Sequence, residues 1–531
     1  MPTLNWIGKE KVINHDLDIP YQVLDKKYVY NAEISDNMII HGDNLIALKS
    51  LLPKYGEKID CIYIDPPYNT GNENWIYNDN VNDPHIKKWL GQVVGKDGDD
   101  LSRHDKWLCM MYPRLKLLRK LLSEYGRIFI SIDENELYFL KLICDEIFGQ
   151  NNFVGQFMWY KSATPPNLSY KIKKNLEYIL CYEKNRNNDK YTGVQKNSPS
   201  DDPFTKSQNS FKILTFPVGT INFKGDDGVY KAGTYGTKKF PNKLLNDIIV
   251  KNGKNYNPVS FENRFIWLQS TLDENIKKGI KINLSKQLVL SYKRNTYDPE
   301  VPPNLIDSSV GVNTTEEAGK ELQKIFNGEK VFDYPKDVSL IKYLLKFVNN
   351  KQAIVLDCFA GSGTTGQAVL ELNKEDEGNR RFIEIEMLDY AEEITAERTR
   401  RIISGYSDVD GTTGNFCFYE LGEELFINGN LNPNVNYDDL RQYIYYTVAK
   451  DIIDVKVNFK NKYLLGIKES TSYYFYYEKE EKCILDESFL STIEVKTDSY
   501  IIFADACTLS NEELSEYHIT FKKTPRDITR F

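Results

Sequence analysis

Two segments far apart in the chain bring together residue types that could act on a bound ligand. The first is Asp65-Pro66-Pro67-Tyr68, which follows the largely apolar run Ile59-Asp60-Cys61-Ile62-Tyr63-Ile64. Consecutive prolines fix φ and carry no N–H, so the turn is stiff and the carbonyls of Asp65 and Pro66 are released from any sheet ladder. A carboxylate, a free carbonyl and an aromatic ring are offered side by side. The second segment is Asp357-Cys358-Phe359-Ala360-Gly361-Ser362-Gly363-Thr364-Thr365, which follows the run Gln352-Ala353-Ile354-Val355-Leu356. Glycines at a strand-to-helix turn let the backbone approach a ligand closely. No Gly-Lys-Ser/Thr follows, and the spacing is not G-x-G-x-x-G, so neither a nucleotide-triphosphate loop nor a dinucleotide loop is indicated.

The next apolar run ends in Glu386, 23 residues beyond Gly363. An acid at that distance can bond ribose hydroxyls. A nucleoside ligand without a pyrophosphate fits this pattern, and S-adenosylmethionine is such a ligand. The acidic turn suits one chemical problem. The amino nitrogen of adenine is a poor nucleophile because its lone pair is delocalised into the ring. Acceptors on both of its N–H bonds, the Asp65 carboxylate and the Pro66 carbonyl, favour a pyramidal nitrogen whose lone pair faces a methyl donor. Tyr68 would stack on the base. A base taken from a duplex costs a few kcal/mol to unstack, and one aromatic stack returns roughly 1–3 kcal/mol. Each segment alone also has a plain structural reading, as a turn that merely shapes the chain.

The surrounding pattern supplies the elements that would hold these turns. Asn37 to His41, Ile59 to Ile64, Arg127 to Ile132, Gln352 to Leu356 and Arg381 to Glu386 read as strands. Apolar residues at helical spacing mark Asn44 to Tyr55, Glu134 to Phe148, Asp337 to Val348, Thr364 to Leu372 and Tyr390 to Ile403 as helices. Met111 to Tyr125 reads as another helix, with Gly126 as its C′ residue. Strands alternating with helices imply an α/β domain with a mostly parallel sheet. From Glu183 to about Gly311 the alternation breaks into a stretch rich in Asn, Lys, Ser, Pro and Gly, read as an inserted domain. After Gly405, β-like runs such as Ser472 to Tyr477 and Tyr500 to Phe503 suggest a further α+β domain.

With 531 residues, the chain is long enough for three to four folded units. Its net charge of −8 is unevenly spread. Lys184 to Arg294 carries 20 Lys and Arg against 9 Asp and Glu, a net of +11, whereas Gly405 to Phe531 has a net of −9. The basic segment reads either as a polyanion-binding surface or as a lysine-rich solvated face. Within it, Arg264, Trp267 and Arg294 are candidates for base or phosphate contact and equally for structural roles. The eight cysteines form no C-x-x-C pair, so neither a zinc site nor a disulfide framework is indicated, and no metal is expected. Met1 to His15 lacks the apolar core of a signal peptide, and no run approaches the ~18 apolar residues of a membrane span. A cytoplasmic protein is expected.

In combination, the two turns resemble those of the amino-methyltransferases of DNA. The acidic turn precedes the glycine turn, with the basic insertion between them, and that order resembles the β class of adenine-N6 methyltransferases. His41-Gly42-Asp43-Asn44-Leu45, Tyr112-Pro113-Arg114-Leu115 and Phe332-Asp333-Tyr334-Pro335-Lys336 look like further segments of this class. Asp65-Pro66-Pro67-Tyr68-Asn69-Thr70-Gly71, Gly422-Glu423-Glu424 and the closing Phe521-Lys522-Lys523-Thr524-Pro525-Arg526-Asp527-Ile528 resemble the modification subunits of type III restriction-modification systems. One position departs: Leu176 stands before Glu177-Tyr178 where the family often has His.

The resemblance implies a Rossmann-like methyltransferase domain with circularly permuted motif order. Its catalytic half would span residues 1–183 and its cofactor half 316–404, with a target-recognition domain at 184–315 and a C-terminal α+β domain at 405–531. By resemblance, Asp65, Pro66 and Tyr68 are catalytic. Asp43 would contact the adenine of S-adenosylmethionine, Lys336 and Asp357 its methionine end, Phe359 its length, Gly361 and Gly363 its backbone cradle, and Glu386 its ribose. The implied partners are double-stranded DNA, a second copy of the chain and a restriction (helicase-nuclease) subunit, with no membrane involved. Two alternatives stay open: cytosine-N4 methylation, which uses the same geometry, and a catalytically silent DNA-binding subunit.

Overall fold

Ten strands, the central ones apolar on both faces, form one mixed sheet in the computed structural model: β1 (Gln22–Tyr30), β2 (Met38–His41), β3 (Ile59–Ile64), β4 (Leu122–Ile132), β5 (Phe153–Tyr160), β6 (Leu176–Glu183), β7 (Leu305–Ile306), β8 (Ile354–Asp357), β9 (Arg381–Glu386) and β10 (Phe416–Glu424). The structure describes residues 3–70, 88, 91–92, 102–164, 171–193, 201–236, 241–293, 300–451, 453 and 461–525. Gly71, Arg294, Arg526, Asp527 and Ile528, singled out above, lie outside these residues. The spatial order is β1-β10-β2-β9-β8-β3-β4-β6-β5-β7. From β10 to β4 all neighbours are parallel, and β1, β6 and β5 add antiparallel pairings. β10 lies beyond the boundary drawn at Gly405, yet it runs between β1 and β2.

Side chains alternate across a strand, so each central strand feeds two cores. Ile62 and Ile64 of β3 pack with Leu45, Leu48 and Leu52 of helix α1 (Asn44–Tyr55) and with Trp107, Leu115 and Leu118 of α2 (Arg103–Leu121). Cys61 and Tyr63 face the other way, onto Leu340, Ile341 and Leu344 of α3 (Val338–Lys346) and Ala368, Val369 and Leu372 of α4 (Thr364–Asp376). Helix α2 begins eight residues before the expected Met111, because Ser102 and Asp105 form a capping box. It also ends earlier than expected. Gly126 is not a helix cap: it lies inside β4, where an added Cβ would sit 2.6 Å from the carbonyl oxygen of Ile59.

The chain divides into two compact units, one made of residues 1–191 with 303–531 and the other of 192–302. The first unit also carries α5 (Glu397–Ser404), α6 (Tyr437–Ala449) and a four-stranded sheet formed by Leu464–Lys468, Thr471–Phe475, Ser499–Ala504 and Ile519–Lys523. The second unit holds a seven-stranded and a four-stranded sheet around a core of Phe204, Phe216, Phe261, Phe265, Trp267 and Tyr292. Trp267 packs its ring 4.7 Å from Phe204 and 4.5 Å from Tyr292, so it is part of that core. Arg264 donates to the carbonyl of Ser207 and lies over the ring of Phe211. Among the described residues, no helix is long and apolar enough to cross a membrane.

Candidate active site

Strands β3 and β8 are parallel neighbours, with Cys61 opposite Val355 and Ile62 opposite Leu356. Their C-terminal ends therefore reach the same edge of the sheet, side by side. From β3 the chain runs through α2 to β4 on one side; from β8 it runs through α4 to β9 on the other. The strand order thus reverses between them, and such a switch point opens a crevice beyond the strand ends. A cleft open to solvent lies there, lined among others by Tyr63, Asp65, Lys336, Asp357, Phe359 and Gly361.

The acidic turn forms one wall. Asp65 is 5% exposed and Tyr68 8%. The Tyr68 hydroxyl donates to Asp65 Oδ1 at 2.7 Å. Lys336, brought in ahead of α3, places Nζ 2.9 Å from Asp65 Oδ2, 3.1 Å from Glu177 Oε2 and 2.8 Å from the Tyr68 hydroxyl. Glu177, from β6, is held on its other oxygen by Lys161 Nζ at 2.9 Å. Burial raises the Asp65 carboxyl, and Lys336 only partly offsets that. Burial also acts to raise Glu177, but Lys336 and Lys161 override it and hold this carboxyl at about 2. The two acids of one cluster are thereby set apart: Glu177 is held toward its charged form and Asp65 is the more basic member.

The glycine turn forms the other wall. Gly361 and Gly363 adopt φ of 54° and 80°, in the left-handed region that favours glycine. At Gly363 a Cβ would also sit 3.0 Å from the carbonyl oxygen of Thr395. Asp357 accepts from the Phe359 N–H at 3.0 Å and from the Thr365 hydroxyl at 2.6 Å. Burial pushes its carboxyl up to about 7 against these two donors. Burial likewise pushes Glu386 up to about 7. Glu386 Oε2 accepts from the Gly361 N–H at 2.8 Å and Oε1 from the Leu388 N–H at 3.0 Å.

Of the residues expected at a site, Asp65, Lys336, Asp357, Phe359 and Gly361 line the cleft, and Tyr68 is bonded to two of them. Pro66 and Gly363 lie in the two turns themselves. Glu386 sits behind the glycine turn, its oxygens engaged by backbone amides. Asp43 is not among the lining residues. It caps α1 by accepting from the Leu45 N–H at 2.8 Å, with Arg114 Nη2 3.7 Å away. The Lys336 ammonium, expected at a cofactor's methionine end, rests on the acidic turn.

Three further residues hold the walls. Asn44 donates to the Cys358 carbonyl at 2.8 Å and is itself oriented by the Arg114 Nε–H at 2.7 Å. Arg398 of α5, 1% exposed, donates through Nη1 to Ser362 Oγ and Thr364 Oγ1, both at 2.8 Å, and through Nε to Gln367 Oε1 at 2.8 Å. Arg398 carries no local signal beyond its charge, whereas Asn44, Arg114 and Glu177 sit inside segments already singled out, though no role was read for Glu177.

The fold and the site define an open α/β protein of the Rossmann-like class, with a ligand cleft at its switch point between an acidic wall and a glycine wall. The family model described as DNA methylase matches residues 59–397, from the start of β3 into α5, and the chain belongs to that family. Among its relatives, the type III restriction-modification enzyme EcoPI Mod subunit of Escherichia phage P1 is 32% identical over 412 residues, 72% of this chain and 62% of that protein. The StyLTI Mod subunit of Salmonella typhimurium is 34% identical over 396 residues, 71% of this chain and 55% of that protein. The type II methyltransferase M.KpnI of Klebsiella pneumoniae is 30% identical over 364 residues, 66% of this chain and 81% of that protein. The chain thus spans less than two thirds of the length of the two type III relatives.

Proposed function

We propose that this chain is an S-adenosylmethionine-dependent DNA methyltransferase that modifies N6 of an adenine swung out of double-stranded DNA, and that it serves as the modification subunit of a type III-like restriction-modification system. The observation that carries the reading is the meeting of Asp65 and Tyr68 with the glycine turn across one cleft. The type III names of two relatives support the subunit assignment. A restriction subunit is the partner proposed on the same ground, and a second copy of the chain is proposed from the resemblance of its motifs to type III modification subunits.

The residues present fit the cofactor. Phe359 offers an aromatic face at the cleft, the two left-handed glycines bare the backbone, and Asp357 offers a buried carboxylate to an ammonium group. S-Adenosylmethionine supplies a methyl group on a sulfonium, already a good leaving group. Asp65 and the Pro66 carbonyl hold the hydrogens of the amino nitrogen so that its lone pair faces that methyl. An amino nitrogen that takes this methyl becomes acidic, and Asp65 would accept its excess proton. Positioning and fixed acceptors supply the acceleration. We assign DNA recognition to the basic insertion, whose lysines would mostly meet phosphate.

The test is to incubate the protein with DNA and labelled cofactor, digest the DNA to nucleosides and identify the labelled one. N6-Methyladenosine in its deoxy form is expected. N4-Methylcytosine, or no transfer, overturns the reading. Cofactor binding should also respond to pH. Asp357 must be ionised to pair with an ammonium group, and with its carboxyl near 7 it is largely protonated at pH 6. Affinity should therefore rise with pH up to about 8 and be about tenfold weaker at pH 6 than on the plateau. Calorimetric titration across this range checks it. Asp357→Asn should flatten the profile, and a wild-type profile that is already flat refutes the assignment.

A further inference from the structure

We propose that Lys336 and Glu177 are a positioning pair for the transfer: the Lys336 ammonium occupies the hydrogen-bonding position on Asp65 that the target amino group must take, and Glu177 is the partner onto which it withdraws. This rests on the assignment of Asp65 as the acceptor of the target amino group.

The geometry is that of a stand-in. An ammonium has three hydrogens, and Lys336 has three acceptors within reach: Asp65 Oδ2, Glu177 Oε2 and the Tyr68 hydroxyl. Its nitrogen lies 4.9 Å from the centroid of the Tyr68 ring, the ring proposed to hold the base. A nitrogen donor on the Asp65 carboxylate beside Tyr68 is what an incoming amino group would be. The base and Lys336 therefore compete for one place.

Glu177 makes withdrawal feasible inside a buried site. A lysine leaving its only carboxylate in a buried site would be stranded, which is strongly unfavourable. Here the second carboxylate is already bonded, and Lys161 on its far oxygen keeps it charged. Two carboxylates and two ammonium groups balance before and after the shift. The backbone adds a tether: the Lys336 carbonyl accepts from the Thr364 hydroxyl at 3.3 Å, at the first residue of the helix that follows the glycine turn. One residue thus joins both walls of the cleft.

Among the described residues, the charged groups facing Asp65 include Lys336, Glu177 and, across the cleft, Asp357, while Tyr63 and Tyr68 stay protonated because burial and the neighbouring carboxylates raise them. Removing each member of the pair should move Asp65 in opposite directions. Glu177→Gln deletes a neighbouring negative charge, so Asp65 ionises more readily and Lys336 binds it more tightly. Lys336→Met deletes the positive charge, so Asp65 ionises less readily.

The experiment measures single-turnover methyl transfer from pH 5 to 9 for wild type, Glu177→Gln and Lys336→Met, together with cofactor affinity. It also measures the fluorescence of 2-aminopurine placed at the mapped target position, without cofactor, as a report of base extrusion. Glu177→Gln should slow transfer at least tenfold, shift the acid limb to lower pH and weaken the fluorescence. Lys336→Met should shift the limb to higher pH and strengthen the fluorescence. Limbs that stay in place or move together, or fluorescence that ignores both changes, overturn the pair. If either variant misfolds, Lys161→Met, which frees the far oxygen of Glu177, should move the limb in the same direction as Lys336→Met; an unmoved limb there overturns the pair as well. Wild-type protein that transfers no methyl group refutes the assigned activity instead, so the two failures are distinct.

Discussion

Asp65→Ala is expected to reduce methyl transfer by a factor on the order of 10²–10³ or more, with cofactor affinity unchanged within about threefold. The reason is placement. Asp65 stands on the wall opposite the glycine turn, so its loss strips an acceptor from the reacting nitrogen and leaves Gly361, Gly363, Phe359 and Asp357 where they are. The fold should tolerate the change, because Lys336 keeps Glu177 at 3.1 Å and the Tyr68 hydroxyl at 2.8 Å. Asp65→Asn is the sharper probe. It keeps the shape but turns one acceptor into a donor aimed at another donor. Single-turnover rates with labelled cofactor, alongside binding by titration calorimetry, check both variants. Transfer near the wild-type rate by either one would remove Asp65 from the mechanism.

Arg398→Met should have the largest effect on the other wall. Its guanidinium is buried, and it satisfies Ser362, Thr364 and Gln367 at once. Methionine fills a similar volume and donates nothing. Each buried acceptor left without a donor costs about 1–3 kcal/mol, so the melting temperature should fall. Ser362 and Thr364 belong to the turn proposed to cradle the cofactor. If roughly 1.4–3 kcal/mol of that loss falls on the turn's bound geometry, affinity drops about ten- to 150-fold. Thermal melts and cofactor titration on the same preparation separate the two effects. A lowered melting temperature with wild-type affinity would show that the turn keeps its shape without Arg398.

The central sheet was legible in the residues because parallel strands buried on both faces read as continuous apolar runs. Ile59 to Ile64 and Arg381 to Glu386 are strands at those bounds. Both chemical turns were legible for a related reason: a stiff Pro-Pro step and a pair of left-handed glycines are local features. The misreading around Gly126 arose because Leu121, Leu122 and Tyr125 continue the helical spacing of α2, while the pairing of Leu122 with Ile59 ends the helix first. Strand β1 gave no signal; its centre, Asp25-Lys26-Lys27, is exposed and charged. The roles of Glu177 and Arg398 were hidden because they are long-range, even though Glu177 lies in a segment already noted. Arg398 stands among Arg400 and Arg401 in one helix, and only burial tells them apart. Trp267 shows the converse: an aromatic in a basic segment invites a nucleic-acid role, and packing against Phe204 and Tyr292 claims it first.

The strand order has a consequence for how the molecule is made. β3 is complete once residue 64 has been synthesised, but its neighbour β8 arrives nearly three hundred residues later, after the whole of the second compact unit. β10, which lies between β1 and β2, comes later still. On the ribosome, the apolar edges of β2 and β3 therefore wait unpaired while residues 192–302 emerge and can fold. Bare apolar edges of this kind recruit other chains. Nascent chains stopped between residues 310 and 350 should be the most dependent on chaperones, and those extending past residue 424 much less so.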